Sequence, residues 1–187
     1  MFEKKATAIP GLFVLQLPGH IDSRGDFVKL YQRNLFSNVF KDFRIAEQYY
    51  STSKQGVIRG LHFQTPPFAH DKIVTCIRGS AFDVVVDIRQ GSPTYGKFQV
   101  FELNDHSFQS VFIPAGCAHG FCATAPSVCL FYSTSSEYNH THDSGLLWNS
   151  LHIPWPCEEP ILSERDKSFL PLAEFSSPFS FEGVPRC

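Results

Sequence analysis

Hydrophobic and polar positions alternate along much of the middle of the chain. The clearest case is residues 82–89, where every second position is apolar and three of the four intervening positions are charged. The apolar positions are Phe82, Val84, Val86 and Ile88. A period of two is the repeat of a β-strand, and here it predicts a half-buried strand with one face against a core.

Turn-forming residues divide the rest of this region into short segments. Residues 90–93 and Asn104-Asp105 are turn clusters, and strand-like runs lie at "KFQVFEL", "SVFIPAGCAHGF" and "SVCLFYSTSSEY". Several short strands with closely spaced turns are typical of an antiparallel sandwich or barrel. Helix is a minor component, and we predict only two short helices, at residues 33–39 and 163–169.

Composition agrees with a soluble globular protein made mostly of strands. The chain has 187 residues, a length that favours one domain, and 19 of them are Phe against a single Met. Aromatic residues suit the half-buried surface of a sheet. The formal net charge of −2 does not indicate a nucleic acid or an anionic membrane as a partner.

The first residues and the cysteines bear on location. "MFEKKATAIPGLFVLQLPG" has no long apolar run after its lysines, so we expect neither a signal peptide nor a membrane span, and a cytoplasmic protein. The six cysteines contain no C-x-x-C pair, and several sit in strand-like runs. They are expected to be reduced thiols: Cys76, Cys117, Cys122, Cys129, Cys157 and Cys187.

Two histidines lie in patterns that are unusual for strands. His62 belongs to "IRGLHFQ", an apolar run that also holds Arg59, and His119 closes the pattern P-x-G-x-x-H in "IPAGCAHGF". The second pattern occurs in cupins, which are small double-sheet jelly rolls, and it directs an imidazole to the barrel mouth after a tight turn. Metal-dependent cupins need further ligands, but His62 is followed by Phe63 and Gln64, and His70 has no ligand spacing. We therefore expect no metal.

Four separated segments resemble the dTDP-4-dehydrorhamnose 3,5-epimerase family in order and spacing. They are "GVIRGLHFQTPPFAHDKIVTCIRGSAFDVVVDIRQGSPTYGKF", "IPAGCAHGF", "FYSTSSEY" and "LLWNSLHIPWPCEEPILSERD", and the similarity spans about residues 20–170. The resemblance implies an all-β, cupin-type jelly-roll barrel of antiparallel strands with a few short helices. It also implies a cofactor-independent isomerase of deoxysugar biosynthesis for a surface polysaccharide or a glycosylated product. Such an enzyme acts at C3, or at C3 and C5, of a nucleotide-linked 4-keto-6-deoxyhexose.

This chemistry needs a base, a stabiliser and an acid around one sugar ring. The C4 ketone acidifies the neighbouring C–H bonds, so inversion requires proton removal on one face, stabilisation of the enolate, and proton delivery on the other face. By resemblance, His62 is the base and Asp166 is the carboxylate that pairs with it. Lys72 matches the cation near the enolate oxygen, and Tyr132 matches the proton donor.

The resemblance also implies which residues bind the substrate. Arg24 and Arg59 match the residues that hold the diphosphate, since a guanidinium makes bidentate contacts with phosphate oxygens. His119 matches a further substrate contact, and Tyr138 matches the ring on which the base stacks. Two other polar residues complete this set, Gln64 and Asp143.

Family members are typically homodimers in which strands near the N-terminus cross to the neighbouring subunit. We therefore expect residues 1–187 to form one epimerase domain. Residues 1–50 would contribute strands to the dimer, and residues 170–187 would form a C-terminal tail.

Three departures from the family pattern concern substrate binding. Glu47, Gln48 and Tyr49 begin a segment that is Gln-Asp-Asn-like in the family, and Arg165 replaces the usual Lys before Asp166. Lys29 replaces the Glu that contacts the base. Lysine has donors and no acceptor, whereas cytosine offers acceptors at N3 and O2, so Lys29 favours a CDP-linked sugar over a dTDP-linked one.

Three other functions compete with this hypothesis. A metal-dependent cupin, either a dioxygenase or an isomerase, would need more ligands than His62 and His119. A sugar-binding cupin without activity would have no use for an acid and a base across one ring. A 3,4-ketoisomerase acts on the same substrate class, but "RGLHFQ" together with "SERD" favours the epimerases.

Overall fold

The computed structural model describes residues 3–37, 40 and 43–183 of the chain. Its strands are β1 (Glu3–Ala6), β2 (Phe13–Gln16), β3 (Gly19–Asp22), β4 (Gly25–Val28), β5 (Glu47–Lys54), β6 (Ile58–Gln64), β7 (Lys72–Arg78), β8 (Ser80–Asp87), β9 (Phe98–Asn104), β10 (Gln109–Ile113), β11 (Cys117–Ala123), β12 (Ser127–Thr134) and β13 (Asp143–Gly145). The helical elements are α1 (Arg33–Ser37), α2 (Glu164–Lys167) and a 3-10 turn at Leu172–Glu174. The predicted all-β class is confirmed.

Within the described ranges, the strands form two antiparallel sheets and a separate ribbon. The first sheet has the order β1-β2-β10-β7-β12-β5, and the second has the order β13-β6-β11-β8-β9. Strands that are neighbours in a sheet are mostly distant in sequence, because the chain crosses repeatedly from one sheet to the other. This is the arrangement of a jelly roll, as predicted.

The two sheets enclose an apolar core. Val74 of β7 and Leu130 of β12 face Val85 of β8 and Phe121 of β11, and all four are almost completely buried. Burying such side chains contributes roughly 1.5–3 kcal/mol each, so this layer holds the sheets together.

Strand β8 is buried on both faces, so the prediction of a half-buried strand at residues 82–89 is wrong. Val84 and Val86 face outward, where Phe175 and Phe179 from the C-terminal segment cover them. The charged positions of the alternation face the opposite way, and Asp83 has no exposed surface. The pattern therefore gave the correct period, but it could not show that a later segment covers the outer face.

The outer face of the first sheet is covered near α1. Phe36 and Phe43 are buried against Phe112 of β10, and the rings of Phe43 and Phe112 meet edge to face at 5.7 Å. Aromatic side chains near α1 therefore cover the outer face of the first sheet.

Both predicted helices are present and shorter than expected. The first ends at Ser37, and position 39 of the prediction lies outside the described residues. The second begins after Ser163, whose hydroxyl accepts a hydrogen bond from the backbone N–H of Asp166, and it ends at Lys167. None of the helices in the described part of the chain is long and apolar enough to cross a membrane.

The ribbon of β3 and β4 stands apart from both sheets. Its two strands pair only with each other in the described structure. Ile21 and Phe27 on this ribbon are 63% and 64% exposed, which is unusual for side chains of this size.

Candidate active site

A cavity of about 330 Å³ opens where the ends of several strands meet. The start of β5, the end of β6, the start of β7 and strand β13 form its wall, and Arg165 of α2 completes it. The wall contains eight of the residues that the sequence predicted for the site: Glu47, Tyr49, His62, Gln64, Lys72, Tyr138, Asp143 and Arg165.

His62 and Asp166 form a closely paired unit beside this cavity. His62 Nε2 lies 2.7 Å from Asp166 Oδ1, and the backbone N–H of Gly60 donates to Asp166 Oδ2 at 3.3 Å. The Asp166 side chain is 4% exposed, whereas that of His62 is 29% exposed and lines the cavity. Burial opposes ionisation of Asp166, but the bonds from His62, Gly60 and Ser163 hold its pKa below the usual value.

Two glycines allow the backbone of His62's strand to take its position. A Cβ atom at Gly60 would lie 2.5 Å from the Cα of Gly120 on β11, and Gly60 has a φ of 136°, a region that disfavours other residues. Gly120 is equally restricted, since its Cβ would lie 2.8 Å from the carbonyl oxygen of Arg59. The close approach of β6 and β11 places the amide of Gly60 against Asp166.

Lys72 brings a buried cation to the same cavity. Its side chain is only 6% exposed, and its ammonium group has no ion pair with any described residue. Burial lowers the pKa of Lys72 to about 8, against the opposing influence of Asp143 and Asp83. The group is therefore mostly charged at neutral pH and close to its titration point.

Tyr132 lies beside the cavity wall in a stack with Tyr49. The two residues are direct cross-strand neighbours on β12 and β5, and their rings stack with centroids 4.7 Å apart. Tyr49 lines the cavity, and Tyr132 Oη lies 3.4 Å from Ser51 Oγ. Burial raises the pKa of Tyr49 to about 12 and raises that of Tyr132 as well, so both phenols keep their protons at neutral pH.

A second histidine–aspartate pair lies deeper in the barrel. His119 Nε2 is 2.7 Å from Asp83 Oδ2, and neither side chain is more than 5% exposed. Burial lowers the pKa of His119 despite the attraction of Asp83. His119 is directly opposite His62 in the register of β11 and β6, so the two pairs are neighbours that differ in access to the cavity.

Polar contacts position the outer part of the cavity wall. Arg165 Nη2 forms an ion pair with Asp143 Oδ2 at 2.6 Å, and the Arg165 guanidinium also lies over the ring of Phe169 at 5.1 Å. Glu47 Oε2 accepts a hydrogen bond from the backbone N–H of Tyr138 at 2.8 Å. Two of these side chains, Glu47 and Arg165, lie at positions where the sequence departs from the family pattern.

Comparison with known proteins identifies the family. The family model described as dTDP-4-dehydrorhamnose 3,5-epimerase matches residues 6–174. That span includes every strand from β2 to β13 and both helices.

The chain belongs to the dTDP-4-dehydrorhamnose 3,5-epimerase family.

Individual members of this family resemble the chain over most of their length. It is 36% identical to a dTDP-4-dehydrorhamnose 3,5-epimerase of Shigella flexneri, over 86% of this chain and 90% of the relative. It is 40% identical to a dTDP-4-dehydrorhamnose 3-epimerase of Streptomyces niveus, over 89% and 82%. A solved epimerase of Legionella pneumophila, in complex with dTDP-4-keto-L-rhamnose, superimposes with a TM-score of 0.93 at 28% identity, over 98% of this chain and 100% of that one.

Seven residues predicted for the epimerase site do not line the cavity. Asp166 lies beneath His62, and Tyr132 and His119 are buried next to the wall. The other predicted residues outside the wall lie elsewhere: Arg24, Lys29, Gln48 and Arg59 are all exposed.

The exposed residues have partners of their own. Arg24 pairs with Asp22 on the β3–β4 ribbon, with 2.5 Å between Nη2 and Oδ2. Arg59 Nε donates to Ser53 Oγ at 3.0 Å, and Gln48 Nε2 donates to Ser133 Oγ at 3.0 Å. The backbone N–H of Lys29 donates to the carbonyl oxygen of Pro18 at 3.0 Å.

The sequence analysis missed two residues of this epimerase site. Asp83 was interpreted only as the polar position of an alternating strand. The available signal was an aspartate within the mostly apolar run of β8, where a buried carboxylate needs a partner. His70 was considered only as a metal ligand, yet it lines the cavity. Within the described residues, no group of three or more His, Cys, Asp or Glu side chains could hold a metal ion.

Proposed function

We propose that this chain epimerises a nucleotide-linked 4-keto-6-deoxyhexose at C3, or at C3 and C5, by removing a proton from one face of the sugar and returning one to the other. The observation that carries the proposal is the His62–Asp166 pair, 2.7 Å apart, on the cavity that also receives the Lys72 ammonium. The names of the relatives, which are 3,5-epimerases and a 3-epimerase, agree with it.

His62 acts as the base. Asp166 accepts a hydrogen bond from Nε2, so the lone pair is left on Nδ1, the ring nitrogen that the aspartate does not contact. When that nitrogen takes the proton from C3, the imidazolium is stabilised by the adjacent carboxylate, which stays ionised because its pKa is low. The low exposure of Asp166 strengthens this interaction by excluding water.

Lys72 stabilises the intermediate. As the C3–H bond breaks, its electron pair forms the C3–C4 double bond, and the π pair of the carbonyl moves onto the C4 oxygen to give an enolate. A cation in a water-poor site compensates this charge more effectively than it would in water, and Lys72 is almost fully buried at the cavity wall.

Tyr132 supplies the returning proton. Its hydroxyl is held near Ser51, and its raised pKa keeps it protonated until a carbanion is available as an acceptor. Tyr49 holds the ring of Tyr132 in place through the stack at 4.7 Å. Tyr49 lies on β5, the edge strand of the sheet next to the strand of Tyr132.

The nucleotide half of the site is completed by a second copy of the chain. Arg24 and Lys29 lie on or next to the β3–β4 ribbon, which is exposed, carries Ile21 and Phe27 on its surface, and pairs with no other strand among the described residues. In a homodimer, a ribbon of this kind would bury its apolar side chains against the neighbouring subunit and bring Arg24 to that subunit's cavity.

The decisive experiment measures solvent exchange at the sugar. In deuterium oxide, the protein should incorporate deuterium at C3 of dTDP-4-keto-6-deoxyglucose, and the position of the label shows whether C5 also exchanges. His62→Ala should reduce exchange by roughly 10²–10⁴-fold. His106→Ala, at a histidine with an 87% exposed side chain, is the matched control and should exchange as the unaltered protein does. Exchange at the unaltered rate in His62→Ala would refute the base assignment.

A further inference from the structure

The cavity wall contains a histidine that has no part in the chemistry described above. His70 follows β6 in the chain and precedes Lys72, and it lines the cavity together with that lysine. Its Nε2 atom is buried and has no hydrogen-bond partner within the described residues. Since an unpaired buried polar atom is unfavourable, a ligand group that pairs with Nε2 would be stabilised there.

The other ring nitrogen of His70 has two polar neighbours, and one arrangement of their hydrogens places the ring proton on Nε2. Gln64 Oε1 accepts from the backbone N–H of Asn139 at 2.6 Å, so the amide turns its NH₂ group towards His70 Nδ1, 3.1 Å away. Ser136 Oγ also lies 3.1 Å from Nδ1, and its hydroxyl can donate to Nδ1 or to the carbonyl oxygen of Phe68 at 2.9 Å. Gln64 Nε2 also lies 3.1 Å from the carbonyl oxygens of Phe68 and Glu137. When one of its two hydrogens points to Nδ1, that nitrogen is an acceptor and the ring proton is on Nε2, which is the tautomer that the inference requires.

The ring is uncharged at neutral pH. Burial, with a further contribution from the Lys72 ammonium, lowers the pKa of His70 to about 3. His70 therefore offers one neutral N–H donor beside a cation, and the two groups approach the cavity from the same end of β7.

We propose that His70 is a second stabiliser of the enolate, donating a hydrogen bond from Nε2–H to the C4 oxygen of the sugar while Lys72 supplies the charge. The inference rests on the proposed function and extends it to a residue of this chain. When His62 takes the proton from C3, the electron pair of that bond forms the C3–C4 double bond and the π pair of the carbonyl moves to the C4 oxygen. Both shifts reverse when the new proton bonds to C3. A donor at the C4 oxygen is strongest while the oxygen carries the negative charge, so it lowers the barrier more than it tightens binding.

The test compares His70→Phe with His70→Gln. The first keeps a ring of similar size without a donor, and the second keeps an N–H donor of similar reach. Loss of one donor to an oxyanion typically reduces kcat by about 10²–10³-fold, so we expect a drop of that size in the C3 exchange of His70→Phe. His70→Gln should recover most of this loss. The value of KM and the dissociation constant of dTDP should change far less than kcat in both variants.

His142→Phe is the matched control. This histidine is also half-buried, and its ring centroid lies 4.9 Å from that of Phe68, but it does not line the cavity. It should exchange at the unaltered rate. In addition, the ¹⁵N shifts of the His70 ring in the unaltered protein should report a protonated Nε2, and this measurement needs no variant.

Each outcome decides the matter. This inference alone would be overturned by unaltered exchange in His70→Phe or by a protonated Nδ1. It would also be overturned if both His70 variants lost exchange in proportion to a fall in their thermal unfolding midpoints. Absence of exchange in the unaltered protein would overturn the proposed function and this inference with it.

Discussion

The cavity and the β3–β4 ribbon differ in how their polar side chains are held. In the cavity, Asp166 accepts bonds from His62 and Gly60 and is almost fully buried. On the ribbon, Arg24 pairs only with Asp22 among the described residues, and its side chain is 86% exposed. Several elements of the chain hold the polar groups of the cavity, whereas the guanidinium of Arg24 is exposed and free for the contacts with a second chain that we propose.

This difference separates chemistry from recognition. Groups that move protons need fixed distances of about 3 Å and a dry environment, which require packing from several strands and helices. Groups that hold a diphosphate act through long, charged side chains and can be presented by a surface ribbon. We therefore expect substitutions in the cavity to reduce turnover, and substitutions on the ribbon to weaken association and binding.

The largest effect is expected at Asp166. Asp166→Asn removes the charge that stabilises the imidazolium and presents an NH₂ group to His62, so exchange at C3 should fall by roughly 10²–10⁴-fold, with nucleotide binding retained. Asp83→Asn alters the other, deeper pair, and should lower the free energy of unfolding by about 1–3 kcal/mol. The exchange rate at C3 and the free energy of unfolding in denaturant are measured for both variants. A smaller loss of exchange in Asp166→Asn than in Asp83→Asn would contradict the assignment of roles.

The pH dependence of kcat/KM should reveal Lys72. Burial lowers its pKa to about 8, so the ammonium needed for the enolate is lost above that pH, and the rate should fall about tenfold per unit. Tyr49, with a pKa of about 12, does not titrate in this range. Because the folded-state pKa lies below the ordinary 10.5, Lys72 contributes increasing stability from pH 8 to 10.5. Titration of Lys72 in the folded protein therefore does not itself destabilise the fold over this range.

Two lysine variants test this assignment. The side chain in Lys72→Arg stays charged, so the fall of kcat/KM at alkaline pH should move above pH 10 in the activity that this variant retains. Lys97→Arg, on an exposed loop, should leave the alkaline fall of kcat/KM at the same pH. If the fall also stayed at the same pH in Lys72→Arg, another group would cause it.

Much of the cavity could be predicted from the sequence, because its residues lie in short patterns that the family shares. His62, Lys72 and Asp166 were assigned from "RGLHFQ", the following turn and "SERD", and the structure places all three at one site. Their roles stay predictions that the exchange experiments test. The period of two also located β8 correctly.

What the sequence could not provide is the set of contacts made across long separations. The burial of β8 depends on Phe179, which lies some ninety residues later in the chain. The partner of His119 is Asp83 on another strand, and no local pattern links the two. The orientation of the His70 ring depends on Gln64, Ser136 and Asn139 together, and such a network becomes visible only when the strands are assembled.

The ribbon should control association. Ile21→Asn with Phe27→Asn replaces two exposed apolar side chains, so the fold of the single chain should be unaffected while the dissociation constant of the dimer rises by at least about tenfold. Light scattering over a concentration series measures this. Ile77→Asn, at a side chain 44% exposed on β7, is the control. A protein that is monomeric before any substitution would remove the proposed homodimer altogether.

The smallest effect concerns the nucleotide and depends on Lys29. Its ammonium has three donors and no acceptor, so it can bond to N3 or O2 of cytosine but cannot accept from the N3–H of thymine. These relatives are named for dTDP-linked sugars, so a preference for CDP would distinguish this chain from them. A hydrogen bond to a charged group is worth about 1.5–3 kcal/mol, which corresponds to roughly tenfold or more in affinity.

Calorimetry should therefore show tighter binding of CDP than of dTDP, and Lys29→Glu should reverse the order. Lys54→Glu, at an exposed lysine at the end of β5, should leave the preference unchanged. Tighter binding of dTDP by the unaltered protein would mean that Lys29 does not contact the base, and that the chain uses the same nucleotide as its named relatives.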